Sequence, residues 1–262
     1  MNTDSFVLVA NDGPVRLVTL NRPEARNALS LALQRELAAS LRSADGDEAV
    51  ACVVLTAADP AFCAGLDLKE LGQGVAPGTL SNEDSPFSAL WHMTTPAIGA
   101  INGACATGGL ELALACDFLI ASEGSRFGDT HARVGFTPAG GMSVLLPEAV
   151  GLRAAREMSL TGNFVDASEG HRLGLVNRVV AHDELLPTAI ALGHDIASAD
   201  QDAVRALKDL YDRGPRLTKA DALTLELEVF AGRRLSAETI ESRRASLINR
   251  NREPAHTHLH ES

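Results

Sequence analysis

Two glycine-rich turns within residues 98–138 each carry a side chain suited to acid–base chemistry. In the first, the pair Gly108-Gly109 is followed by Glu111, and the second contains His131. An apolar pattern typical of a helix begins after the glycine pair, so we expect these glycines to precede a helix N-terminus. The free N–H groups and positive dipole end of such a helix can hold an oxygen that develops negative charge. Glu111, in the first turn, would lie close to whatever those N–H groups bind.

Each of these residues also has a purely structural interpretation. Gly108 and Gly109 could form only a tight turn. Glu111 could be a carboxylate that the helix dipole stabilises, an effect of up to about 1 kcal/mol. His131 could be a packed or solvent-facing polar residue of a loop, although a histidine, with an ordinary pKa of about 6.5, suits proton transfer near neutral pH.

The composition is that of an acidic globular protein. The chain has 262 residues, 45% of them hydrophobic and 22% charged, enough for one large or two small units with a real core. Its net charge of −11 argues against nucleic acid or an anionic membrane as the main partner. No apolar run approaches the ~20 residues of a membrane span. The first residues lack the cationic start of a secretory signal, so we expect a cytoplasmic location.

The cysteines and histidines do not indicate a metal or redox centre. The four cysteines lie in apolar or glycine-rich segments without C-x-x-C spacing, and we predict that they are buried, reduced thiols. They are Cys52, Cys63, Cys105 and Cys116. Histidines 256, 258 and 260 could chelate a metal, but a flexible, solvated tail is the simpler interpretation.

Strand, strand and helix recur along the chain. A turn signal at residues 11–14 predicts a hairpin of strands 6–10 and 15–20. The expected helix caps are Ser30, for a helix through Leu41, and Ser198, for a later helix. Further predictions are a buried strand over 51–56, a short helix from Asp67, a loop over 72–88, a strand over 96–101, a turn over 103–109, a helix over 110–116, a strand over 118–121, a strand over 173–180, and helices over 219–231 and 236–250.

Five separated motifs, in the correct order, resemble the enoyl-CoA hydratase/isomerase (crotonase) superfamily. One is the Gly108-Gly109 segment with Glu111. The others are Asn21-Arg-Pro-Glu-Ala-Arg-Asn-Ala-Leu29, Ala61-Phe-Cys-Ala-Gly-Leu-Asp-Leu-Lys-Glu70, Leu160-Thr-Gly162 and Gly174-Leu-Val-Asn-Arg-Val179. They are similar to the family's N-R-P-x-x-x-N-A-L, F-x-A-G-x-D-x-x-E, L-T-G and G-L-V-x-x-V elements. The resemblance covers roughly residues 6 to 230.

The resemblance implies an α/β crotonase fold, a spiral of ββα units with a C-terminal helical trimerisation region. Residues 1–195 would form the spiral core with the acyl-CoA site, and residues 196–262 the helical oligomerisation region. A homotrimer or a dimer of trimers is therefore expected.

The resemblance also implies roles for individual residues. The N–H groups of Ala64 and Gly108 would converge on a thioester oxygen, an oxyanion hole often worth ~3 kcal/mol or more per donor. Glu111 corresponds to the first of two catalytic glutamates, and His131 stands where the second is expected. The residues expected along the CoA ester are Ala25, Arg26, Ala64, Gly65, Leu66, Asp67, Gly108 and Gly109. Arg26 could reach a phosphate or be a surface arginine, and Asp67 is expected to cap a helix rather than perform chemistry.

The activity that follows is syn addition of water to 2-enoyl-CoA thioesters, with Glu111 and His131 sharing the acid–base work. No metal or redox cofactor is expected, since coenzyme A enters as part of the substrate. The alternatives are another crotonase-type reaction, namely hydrolysis, decarboxylation or isomerisation, and a non-catalytic acyl-CoA-binding protein. Because family isomerases usually keep a carboxylate at the second position, His131 counts against isomerisation more than against hydration.

Overall fold

The structure is a computed structural model that describes residues 5–74 and 81–233, together with residues 240, 241, 243, 244 and 248. The chain divides into two compact units, Met1–Lys208 and Asp209–Ser262. The predicted boundary, between residues 195 and 196, lies earlier in the chain, and the oligomerisation role of residues 196–262 stays a prediction. Most of the helix predicted over 236–250 lies outside the described residues, as do histidines 256, 258 and 260.

The N-terminal hairpin is confirmed. Strands β1 (Val7–Asp12) and β2 (Val15–Leu20) pair antiparallel, with Asp12 opposite Val15. The turn between them contains Gly13, whose φ of +55° is a left-handed conformation that glycine adopts at low cost.

The hairpin is the edge of a six-stranded sheet in which the remaining neighbours are parallel. The further strands are β3 (Cys52–Ala57), β5 (Ala97–Ile101), β7 (Phe118–Ser122) and β10 (Arg178–Val180), and the spatial order is β1-β2-β3-β5-β7-β10. Every residue of β3 is buried, because Val53 and Leu55 face the main core whereas Cys52 and Val54 face a second apolar cluster with helix α8 (Leu185–Ala197). This burial confirms the strand predicted over 51–56.

The second strand of each repeat belongs to a second, four-stranded sheet. Its strands are β4 (Ala61–Cys63), β6 (Ala104–Ala106), β8 (Arg126–Gly128) and β9 (Phe164–Asp166), in that spatial order. Strands β4, β6 and β8 are parallel, and β9 is antiparallel to β8. In each of the successive pairs β3–β4, β5–β6 and β7–β8, the first strand lies in the six-stranded sheet and the second lies in the four-stranded sheet. The chain therefore winds as the predicted spiral of ββα units.

Short helices follow the strands of the second sheet and complete the repeats. They are α2 (Leu68–Gly72) after β4, α4 (Gly108–Leu114) after β6 and α5 (His131–Val134) after β8. The sequence predicted only a turn over residues 103–109. A strand of three residues such as β6 is too short to show an alternating pattern, and parallel pairing to both neighbours is what forms it.

Two of the three predicted helix caps are confirmed. Ser30 precedes α1 (Leu31–Asp45) and its side chain accepts a hydrogen bond from the Leu33 N–H. Asp67 caps α2 in the same way, through the Lys69 N–H at 2.9 Å. Both side chains satisfy N–H groups that a helix start otherwise leaves unpaired.

The prediction for Ser198 is wrong, because this residue is the C-cap of α8. The next helix, α9 (Gln201–Arg213), is capped instead by Asp200, whose carboxylate accepts from the Ala203 N–H at 2.7 Å. The remaining helices are α3 (Pro86–Trp91), α6 (Met142–Thr161), which Gly151 interrupts, α7 (Ala167–Leu173) and α10 (Lys219–Gly232). The strand predicted over 173–180 is reduced to β10, since α7 extends to Leu173.

All four cysteines are buried free thiols, as predicted. Burial raises the pKa of the Cys63 thiol to about 12, so this thiol is not a reactive nucleophile. Among the described residues, no helix has the length and apolar character required to cross a membrane.

Candidate active site

The start of α4 differs in detail from the prediction. Gly108 and Gly109 are the first residues of the helix rather than residues before it, and Glu111 lies in its first turn. A Cβ built on Gly109 would lie only 2.3 Å from the Cys63 carbonyl oxygen. Glycine at 109 therefore allows helix α4 to pack directly on strand β4.

A cavity of about 370 Å³ opens beside this end of α4. Of the predicted site residues, Ala64, Leu66, Asp67, Glu111 and His131 line it. Its apolar wall includes three aromatic side chains that no sequence motif indicated, Phe87, Trp91 and Phe136. An apolar cavity with a few convergent polar groups is the usual form of a small-molecule site.

Glu111 is held in one orientation by the backbone. The residue is 3% exposed, and its Oε1 accepts hydrogen bonds from the N–H groups of Gly140, at 2.6 Å, and Met142, at 3.3 Å. Burial raises the pKa of the Glu111 carboxyl above its ordinary value, although the two N–H donors and the nearby His131 ring oppose the shift. A buried carboxyl with a raised pKa can hold a proton and release it at higher pH than an exposed glutamate.

His131 lies between two carboxylates. Its Nδ1 is 2.6 Å from Asp129 Oδ1, and its Nε2 is 3.8 Å from Glu111 Oε2. An ionised carboxylate only accepts hydrogen bonds, so the Nδ1 atom carries the proton of the neutral ring. The lone pair of Nε2 then faces Glu111 and can accept a proton.

Asp129 is a site residue that sequence reasoning missed. It is 1% exposed, and burial alone would raise its pKa, but the hydrogen bonds from His131 and Ser159 lower the pKa below its ordinary value. The carboxylate is therefore ionised at neutral pH. The available signal was local: an aspartate two residues before a helix start often accepts from that residue's N–H, as Asp129 does from the His131 N–H at 3.2 Å.

The predicted role of Ala64 as an oxyanion donor is not supported by its backbone contact. The Ala64 N–H donates to the Arg26 carbonyl oxygen at 3.1 Å, so it already has an acceptor within the loop. By contrast, among the described residues the backbone N–H groups of Leu66 and Gly108 donate to no protein acceptor. A Cβ built on Gly108 would lie 3.6 Å from the Leu66 nitrogen, so these two free N–H groups belong to adjoining backbone.

The loop before α1 fixes the segment that carries Leu66. Asn27 is fully buried, and its amide donates to the carbonyl oxygens of Ala58 and Ala61, both at 2.7 Å. Leu29 and Leu66 form a parallel bridge. The Leu66 segment is therefore anchored to the loop before α1 through backbone hydrogen bonds, and the Asn27 amide holds that loop to the residues that precede the Leu66 segment.

The Asp67 carboxylate already accepts hydrogen bonds from Arg22 and from the Lys69 N–H. Arg22 donates to its carboxylate at 2.6 Å, and although burial opposes the shift, this ion pair and the cap to Lys69 lower the pKa of Asp67. Asp67 thus has the capping role that the sequence predicted.

Ala25 and Arg26 lie outside the cavity lining, Ala25 half-buried and Arg26 exposed in the left-handed region. Gly65 is buried behind the lining. The role of all three residues in binding CoA stays a prediction.

Comparison with known proteins places the chain among enzymes of one kind. The model of the enoyl-CoA hydratase/isomerase family matches residues 11–250. The "Probable enoyl-CoA hydratase" of Rhizobium meliloti (strain 1021) is 41% identical over 225 residues, which cover 86% of this chain and 88% of the relative. A protein of Arabidopsis thaliana, "Probable enoyl-CoA hydratase 1, peroxisomal", is 39% identical over 82% of both chains. The solved structure of an enoyl-CoA hydratase from Mycobacterium tuberculosis H37Rv is 51% identical, covers 87% of this chain and 97% of its own, and superimposes with a TM-score of 0.74.

The contact between Asp129 and His131 predicts one tautomer in solution. We expect the neutral His131 ring to carry its proton on Nδ1, which long-range ¹H–¹⁵N NMR spectra distinguish from the Nε2 form. Asp129→Asn keeps the shape but removes the charge, so it should populate both tautomers. Asp183→Asn, at an exposed position, is the matched control and should leave the His131 signals unchanged. A wild-type ring protonated on Nε2 would contradict the geometry.

Proposed function

Because the chain belongs to the enoyl-CoA hydratase/isomerase family, we propose that it adds water across the double bond of 2-enoyl-CoA thioesters. The observation that carries the proposal is the juxtaposition of two kinds of group. Free N–H groups of Leu66 and Gly108 adjoin each other, and a buried Glu111–His131 pair lies at the same end of helix α4. The first can stabilise an enolate, and the second can move the protons that hydration requires.

We assign the oxyanion hole to Leu66 and Gly108. When water adds to Cβ of an enoyl thioester, the electrons of the double bond move toward the thioester oxygen, which becomes an enolate oxygen. Two preorganised N–H donors stabilise that charge, and the loss of one such donor typically costs about 3 kcal/mol of transition-state stabilisation. The positive end of the α4 dipole adds to the same effect.

The tautomer of His131 assigns the two proton-transfer roles. The Nε2 lone pair takes one proton from water while the water oxygen bonds to Cβ. Glu111, whose pKa is raised by burial, gives its proton to Cα as the enolate collapses to the thioester. The proton on His131 Nε2 then returns to Glu111 Oε2, 3.8 Å away, so the site is restored and one water molecule has been added.

The same geometry explains the stereochemical course that we propose. The acid and the base are neighbours, so both new bonds, C–O at Cβ and C–H at Cα, form on one face of the double bond. Asp129 takes no proton in this scheme. Its buried carboxylate holds the Nδ1–H and stabilises the imidazolium ion that forms.

The remaining features of the proposal concern the substrate and the assembly. The apolar wall of Phe87, Trp91 and Phe136 would hold the acyl group, and no group besides the substrate's own CoA is required, because hydration involves no net redox change. We propose that CoA lies along Ala25, Arg26 and the Ala64–Asp67 segment, in which Arg26 and Ala64 are exposed. The trimer or dimer of trimers and the cytoplasmic location stay predictions, and one relative is named as peroxisomal.

Product analysis tests the reaction type and its alternatives together. Mass spectrometry of a panel of 2-enoyl-CoA and saturated acyl-CoA substrates should show the mass of one added water on the enoyl thioesters and intact saturated ones. Release of free CoA would indicate hydrolysis, and loss of carbon dioxide would indicate decarboxylation. Binding of every thioester without any product would contradict an enzyme of this class.

Glu111→Gln should abolish most hydration while leaving the fold intact. A glutamine can still accept from the Gly140 and Met142 N–H groups, but it cannot deliver a proton, so we expect kcat to fall by about 10²–10⁴. Because the folded-state pKa of Glu111 is raised, its ionised form costs stability as pH rises, and the neutral variant should be at least as stable as the wild type at pH 7.

Glu123→Gln, at an exposed position, is the matched control for both measurements and should change neither. A Glu111→Gln protein that folds and retains wild-type kcat would contradict the role of Glu111.

Hydration should fall as pH rises, because Glu111 must hold a proton to protonate Cα. Burial raises the pKa of Glu111, so its protonated form persists to higher pH than that of an exposed glutamate. We therefore expect kcat/KM to fall at a pH above the ordinary glutamate pKa of about 4.3. A kcat/KM that does not fall as pH rises would contradict the role of Glu111 as the proton donor.

A further inference from the structure

Thr107, the residue between strand β6 and helix α4, has a backbone conformation that its side chain disfavours. Its φ is +50° and its ψ is −116°. A positive φ is uncommon for any residue with a Cβ, and for a β-branched residue it is an outlier that the surrounding structure must impose. Glycine would occupy this position without strain. A threonine at a strained position next to a candidate oxyanion donor therefore points to a use for its side chain.

The side chain and backbone of Thr107 join two parts of the site. Its Oγ1 lies 3.1 Å from Oγ1 of Thr130, the residue between Asp129 and His131. Its N–H donates to the Gly128 carbonyl oxygen at 2.9 Å, and its own carbonyl accepts from the Glu111 N–H at 2.9 Å. The two hydroxyl-bearing residues both line the cavity.

The same side chain also supports the segment that carries Leu66. A Cβ built on Gly65 would lie 2.8 Å from Thr107 Oγ1 and 3.0 Å from Thr107 Cβ. The threonine thus fills the space beside Gly65, whose φ of +95° requires glycine. One side chain is therefore in contact with the loops on either side of the cavity wall, the loop before Leu66 and the loop before His131.

We propose that Thr107 is a positioning residue whose hydroxyl, hydrogen-bonded to the Thr130 hydroxyl, keeps the oxyanion donors in register with the Asp129–His131 pair. The inference rests on the proposed function. The peptide bond between residues 107 and 108 carries the Gly108 N–H, so the φ and ψ of Thr107 decide where that N–H points. The Thr130 contact fixes this peptide relative to the base that activates water.

The test uses substitutions that separate the hydroxyl from the shape of the side chain. Thr107→Val and Thr130→Val keep a β-branched side chain but remove the hydrogen bond, and each should lower kcat/KM for hydration of crotonyl-CoA by about tenfold or more, because a small misplacement of reacting groups is costly. Thr107→Ser keeps the hydroxyl and should restore most of the activity. Thr224→Val, at an exposed position, is the matched control.

Two further results distinguish positioning from a general structural role. If the hydroxyls act only through each other, the double variant should lose no more activity than either single one. Thr107→Gly should relieve the strain, so its melting temperature should equal or exceed that of the wild type while its kcat/KM falls. Full activity of folded Thr107→Val, or losses that multiply in the double variant, would overturn the proposal.

A readout independent of turnover separates this inference from the proposed function. The exchange rate of the His131 Nδ1–H proton with solvent, measured by NMR, should rise by about tenfold in both valine variants, because the Asp129–His131 loop loses an anchor. If the wild type hydrates no enoyl-CoA but exchange accelerates, the proposed function fails and the positioning contact stands. If the wild type is active and the valine variants match it in rate and exchange, the inference fails and the function stands.

Discussion

The site depends on the burial of two carboxylates on either side of a single imidazole ring. A buried charge is costly unless it is paired and hydrogen-bonded, and the structure meets this constraint differently for each group. Asp129 gains the His131 ring and a backbone N–H, and its pKa falls. Glu111 gains two backbone N–H groups but lies farther from the ring, and its pKa is raised. The difference between the two environments makes Asp129 a fixed charge and Glu111 a group that can exchange a proton.

The ββα spiral brings the required backbone together. Strands β4, β6 and β8 are successive neighbours in the smaller sheet, and they run parallel, so their carboxyl ends lie at one edge. The segment after β4 carries Leu66, the segment after β6 carries Gly108 and Glu111, and the segment after β8 carries Asp129 and His131. Each repeat of the fold thus contributes one part of the candidate site. Residues far apart in sequence meet because the strands before them pair.

The sequence was sufficient for the fold and for the two side chains to which we assign proton transfer. Separated motifs implied the spiral, the hairpin and the caps at Ser30 and Asp67 had local signals, and Glu111 and His131 do face each other. The sequence could not show which backbone N–H groups already donate to an acceptor within the protein. Ala64 and Leu66 are two residues apart in one glycine-containing segment, and only the Arg26 carbonyl, from a distant loop, distinguishes them.

Asp129 was missed for a related reason. Its importance lies in a contact across a turn between a three-residue strand and a four-residue helix, and elements this short have no periodic pattern. The strained φ of Thr107 is likewise invisible in sequence, since a threonine before two glycines is compatible with an ordinary turn. Local propensity therefore does not predict the backbone conformation at positions where tertiary contacts impose an unfavourable one, and these positions surround the cavity.

The most direct test of the proposed oxyanion hole is a crystal structure of the protein with acetoacetyl-CoA, a thioester whose enolate resembles the intermediate of hydration. We expect the thioester oxygen to lie about 2.7–3.2 Å from the backbone nitrogens of both Leu66 and Gly108, with Cα and Cβ of the acyl group beside the Glu111–His131 pair. A thioester oxygen bound by the Ala64 N–H, or one that meets neither nitrogen, would contradict the central claim that these two free N–H groups form the oxyanion hole.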